Sequence, residues 1–155
     1  MIKSSSLSTK HSQKNSKFLF PAVSAAILGL ADATYLTILH YENKIPPCSI
    51  THGCENVLTS KFATIYSIPI SILGIIFYLT WFVFLMYLII KKKNQTIINL
   101  LLGISLLGIV VSAILFYLQV SVIKAYCQFC MASEVVNMLL LVFAYLIKKD
   151  YQKEG

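Results

Sequence analysis

Four cysteines carry most of the reactive chemistry in this sequence, and they fall into two pairs. Cys127-Gln128-Phe129-Cys130 is a Cys-x-x-Cys at the start of an apolar stretch. At the beginning of a helix its sulfurs stand at i and i+3 on one face, so the pair can be oxidised and reduced with little backbone movement. A helix N-terminus stabilises a thiolate, and Lys124 adds positive charge nearby. Cys48 and Cys54 enclose Ser49-Ile50-Thr51-His52-Gly53 in a polar loop, which suits a mobile pair. Thiolate attack on a disulfide is the reaction the two pairs share. Two blander readings stand beside it. Cys48 and Cys54 could form a static staple, or the four thiols could hold a metal, although Cys-x-x-Cys with Cys-x5-Cys is not a standard zinc spacing. Met131 stands where a c-type haem site needs His, so haem attachment is ruled out.

The elements that position these pairs are membrane spans. Of 155 residues, 57% are hydrophobic and 12% charged, against about 25% charged in a soluble domain. Too few polar groups remain to cover a water-facing surface. Apolar runs cover about 18–39, 64–90, 96–123 and 126–147. Each exceeds the roughly 20 helical residues needed to cross a hydrocarbon core, and no period-two alternation suggests a barrel. The expected fold is an all-α, four-transmembrane-helix bundle. Residues 1–17 form a disordered tail, 18–147 the membrane domain with a Cys-containing outer loop, and 148–155 a second tail. Ala31-Asp32-Ala33 loosely fits a leader-cleavage site, but the run continues through Leu36 and Leu39, which favours a span.

The net charge of +7 comes from 13 Lys without Arg. Ten of the lysines lie in the N-terminal tail, in Lys91–Lys93 and in the C-terminal tail; Lys44, Lys61 and Lys124 lie on the other side. The positive-inside rule then puts both termini in the cytoplasm and all four cysteines outside it, where disulfides persist. Lysine clusters flanking spans set topology rather than bind nucleic acid.

Two acidic residues fall within the spans. Glu134 is four residues after Cys130 and shares its helix face, so it is expected to handle protons or hydrogen-bond near a ligand, with snorkelling as the alternative. Asp32 lies about 12 Å from the outer end of the first span at 1.5 Å per residue, and a hydrogen bond across helices is the expected outcome. Phe77, Tyr78 and Trp81 share helical spacing that fits bundle packing or a pocket wall. Gly29, Gly74, Gly103 and Gly108 permit close helix approach.

The pattern Cys48-x5-Cys54, Ser60, Ile68-Pro69-x-Ser71-x-Leu73-Gly74 and Cys127-x-x-Cys130 resembles the vitamin K epoxide reductase family over about residues 18–147. The closer likeness is to bacterial, DsbB-like members, and Gly-Leu-Ala-Asp-Ala-x-Tyr-Leu-Thr near residues 29–37 adds to it. The resemblance implies a four-helix bundle around a quinone (ubiquinone or menaquinone) in a bacterial cell membrane. It implies that Cys130 reacts with the quinone, that Cys127 exchanges with Cys54, and that Cys48 meets a thioredoxin-like, DsbA-like protein. Ser60 matches the family's loop Ser or Thr. With only Lys148–Gly155 after the last span, that partner is expected to be a separate chain. The animal enzymes have Asn at the position of Ile70 and Tyr at that of Glu134, both linked to vitamin K binding, so epoxide reduction is the alternative rather than the leading expectation.

Overall fold

The computed structural model describes residues 16–47, 53–65, 68–91 and 94–152. Four long helices dominate: α1 (Ser16–Tyr41), α3 (Ile70–Lys91), α4 (Gln95–Tyr117) and α5 (Gln128–Gln152), with a short α2 (Cys54–Leu58) between the first two. At 22 to 26 residues the long helices measure about 33–39 Å, using 1.5 Å per residue, which exceeds the ~30 Å hydrocarbon core. All four are long and apolar enough to cross a membrane. The expected four-helix bundle is the observed architecture.

The ends of these elements follow from local chemistry. The apolar run at 64–90 starts before its helix does. Thr64–Ile65 (β1) pairs antiparallel with Ile68–Pro69 (β2), and the helix begins only at Ile70. Proline disfavours the α conformation in the residue before it and has no N–H to continue a ladder. Ile70 N–H then donates to Ala63 O at 3.0 Å, closing the loop. Asn94 caps α4, its side chain accepting from Thr96 N–H at 3.0 Å. Beyond Tyr117 the helix widens into a π turn, Leu118–Ile123. Lys124, in the left-handed region at φ 54°, reverses the chain into α5. The other end of α5 continues as helix through Lys148 and Lys149 to Gln152. Of the tail expected over 1–17, residues 1–15 lie outside the described set, while Ser16 and Lys17 already belong to α1.

α1 packs on α3 and α5, and α4 packs on α5. In lipid there is little hydrophobic gain from bringing helices together, so close van der Waals fit must do it. α1 supplies a stripe of small residues, Ala22, Ala26, Gly29 and Ala33. At Gly29 a Cβ would fall 2.3 Å from the Tyr78 ring, so the ring occupies the space a side chain would take. Gly74 faces Ala33, while Gly103 has nothing within 4 Å and serves no such contact. Trp81, Leu85, Ile98, Leu101 and Leu140 form the centre. The outward faces carry large apolar side chains such as Leu28, Ile76, Leu107 and Val142, as a lipid-facing surface requires.

Candidate active site

The three described cysteines, Cys54, Cys127 and Cys130, lie at one end of the bundle. Cys54 is the first residue of α2 and is 1% exposed. With Val57 it packs against Ala125 and Cys127 in a small buried cluster set apart from the main core. Gly53 permits this approach. A Cβ there would lie 2.8 Å from Tyr126 O and 2.9 Å from Tyr126 N, so any side chain would push α2 off the segment leading to Cys127. Cys54 is disulfide-bonded, while Cys127 and Cys130 are free thiols. Cys48 lies outside the described residues.

Cys127 immediately precedes α5 and is fully buried. Its own N–H donates to Gln119 Oε1 at 3.0 Å, which ties the helix start to the π turn. Its sulfur accepts from Cys130 N–H at 3.4 Å, in the place where a capping oxygen would sit. The Cys127 thiol is held below the ordinary cysteine range, first by the hydrogen bond from the Cys130 side chain, against the opposing effect of burial. The backbone N–H groups of Cys130 and Phe129 lower it further. Lys124, whose charge the sequence suggested as a contributor, is not among the causes.

A cavity of about 420 Å³ lies between the helices beneath this end. Cys130 lines it, whereas Cys54 and Cys127 do not. The walls are mainly apolar, with Phe77 and Tyr78 among them, while Trp81 belongs to the core instead. Ser60 lines the loop side, its hydroxyl donating to Val57 O at 2.7 Å. Glu134 lines the α5 side with a buried Oε1 that has no partner among the described residues. Asp32 does not line the cavity. It accepts a hydrogen bond from Ser133, which does, so it joins α1 to α5. Tyr78 completes this link by donating to Ser133 O at 3.0 Å.

Three positions gain importance only from the structure. Gln119 anchors Cys127, Gly53 admits Cys54, and Asn137 presents a buried amide to the cavity. Asn137 was the most readable of the three, because 127, 130, 134 and 137 follow the alternating three- and four-residue spacing of one helix face. Among the described residues no three His, Cys, Asp or Glu side chains converge as metal ligands.

The model of the vitamin K epoxide reductase family matches residues 20–145, from the start of α1 almost to the end of α5. The chain belongs to the vitamin K epoxide reductase family. Members of that family are membrane helical bundles with thiol- and quinone-linked redox activity, so this chain is an integral-membrane oxidoreductase. No curated protein matches it. In this member of the vitamin K epoxide reductase family, Cys130 lines a mainly apolar cavity of about 420 Å³.

Proposed function

We propose that this protein is a thiol:quinone oxidoreductase that reoxidises a separate thioredoxin-like, DsbA-like protein and so supports disulfide formation in exported proteins. One observation carries the reading: Cys54 packs in one buried cluster with Cys127, while Cys130 faces the cavity. The cysteines thus stand in a relay order from loop to helix to cavity. The partner's two thiols reduce the loop disulfide, for which Cys48 is the proposed partner of Cys54. Cys54 thiolate then attacks Cys127 of the oxidised helix pair. The Cys127–Cys130 bond breaks, and its electron pair goes to Cys130. Engaged with the loop, Cys127 no longer competes for the proton of Cys130, and Cys130 becomes the nucleophile facing the cavity. Cys48 thiolate then attacks Cys54, which breaks the Cys54–Cys127 bond, restores the loop disulfide and frees Cys127 to close again on Cys130 as the electron pair passes to the quinone. The net exchange balances: two thiols give up two electrons and two protons to form one disulfide, and the quinone takes both to become a quinol. Glu134, one turn beyond Cys130, is positioned to hold or pass a proton at its unpartnered Oε1.

The same reading puts both termini in the cytoplasm and the cysteines outside it. Ile70 and Glu134 both line the cavity, so the two departures from the animal enzymes fall in the space a substrate would occupy. This supports ubiquinone or menaquinone over a vitamin K epoxide. The test is anaerobic reduction of ubiquinone and menaquinone analogues by a reduced thioredoxin-like protein, comparing wild type with Cys130→Ala. The expected result is turnover in the wild type and its loss in the variant, by at least a hundredfold. Wild-type protein that reduces neither quinone would overturn the reading.

A further inference from the structure

Most polar side chains on the cavity wall are already committed. Ser60 donates to Val57 O, Ser133 to Asp32 and Tyr78 to Ser133 O; the Ser71 and Thr37 hydroxyls are 2.8 Å apart, and Gln119 Oε1 holds Cys127 N–H. Among the described residues, two cavity-lining side chains retain a buried atom without a partner, Glu134 Oε1 and Asn137 Oδ1. Glu134 is close to Cys130. Asn137 is seven residues beyond it, two turns, about 10 Å along the axis at 1.5 Å per residue.

Asn137 is 5% exposed. Its Nδ2 donates to Ser112 Oγ of α4 at 3.0 Å, which fixes the plane of the amide. α4 is cut away to admit it, since a Cβ on Gly108 would fall 2.8 Å from Oδ1 and 2.9 Å from Nδ2. A buried amide oxygen without a partner is uncommon in a folded interior, and the side chain that carries it lines an open apolar space. An amide has two N–H donors and one acceptor. Ser112 takes one Nδ2 hydrogen; the second can be donated to a quinone oxygen, which only accepts, while Oδ1 can accept from the O–H of the quinol.

We propose that Asn137, braced by Ser112, is the second polar anchor of the cavity and hydrogen-bonds the quinone oxygen farther from Cys130. The inference rests on the reading of the cavity as the quinone site. Asn137 is thus a binding and specificity residue, setting how the ring lies against the sulfur.

The test is equilibrium binding of short-tailed ubiquinone and menaquinone analogues to the purified full-length protein, alongside KM and kcat for quinone and for the thiol partner. Asn137→Leu is expected to weaken quinone binding about tenfold, the scale of one lost buried hydrogen bond. KM for quinone should rise by a similar factor, with KM for the partner unchanged. Ser112→Ala leaves the amide in the cavity and is expected to cost threefold or less. Asn137→Ala carries the same expectation as Asn137→Leu and serves if the larger side chain prevents folding. Wild-type affinity in both Asn137 variants overturns the inference while leaving the quinone reading intact. So does a rise in KM for the thiol partner equal to that for quinone, which would make the amide a helix-packing contact. A wild-type protein that binds neither analogue removes the quinone reading and this inference together.

Discussion

At the residue scale, the site is asymmetric within a four-residue motif. Cys127 is buried beside Cys54, and Cys130 faces the cavity. The Cys130 side chain is the first cause of the lowered Cys127 thiol, since a hydrogen bond to the charged form favours that form. The sign follows directly. With its pKa below the usual ~8.5, Cys127 stays thiolate as pH falls through the ordinary cysteine range, and loses that form only below its own lowered value. Cys130→Ala removes the S–H donor and should move the Cys127 titration upward, towards the ordinary range. Thiolate ultraviolet absorbance followed against pH, with the loop disulfide left intact, reads this directly. An unmoved midpoint would show that the backbone N–H groups hold the thiolate unaided.

At the element scale, the relay depends on how α2 sits against the start of α5. No long helix brings Cys54 to Cys127; a five-residue helix does so, with Gly53 in contact with the Tyr126 backbone. Gly53→Ala would force a Cβ into a backbone contact under 3 Å. The loop would move away, and small misplacements of reacting groups are costly, up to about a hundredfold for 1 Å. The expected outcome is a ten- to hundredfold slower Cys54–Cys127 exchange in rapid-mixing measurements, with KM for quinone unchanged. An exchange rate equal to wild type would mean that the loop reaches Cys127 in another way. On the far side, Gln119 and the left-handed Lys124 fix where α5 begins, so the π turn belongs to the same device.

At the scale of the whole molecule, four apolar helices enclose a cavity at the end where the described cysteines lie, and lysines concentrate in the segments assigned to the opposite side. Orientation is a prediction of that charge asymmetry. In a cysteine-free background, Glu42→Cys should react with a membrane-impermeant maleimide added to intact cells. Lys149→Cys should react only after permeabilisation. The reverse pattern would invert the topology and remove any exported thiol partner.

Composition and spacing alone determined the number of spans and the helix face shared by Cys130 and Glu134. These are properties of single segments: run length and period. The family pattern was legible for the same reason, since its motifs are local and the family match covers residues 20–145. Hydropathy overran the start of α3, because Thr64–Ile65 and Ile68–Pro69 are apolar enough for a span but pair as two short strands ahead of the helix. What tertiary structure alone decided is where distant segments meet. It put Cys54 beside Cys127, tied Asp32 to Ser133 across 101 positions, and set Asn137 against Ser112 and Gly108. Such contacts depend on helix rotation and close approach, which a hydrophobic pattern permits in several ways and only packing selects.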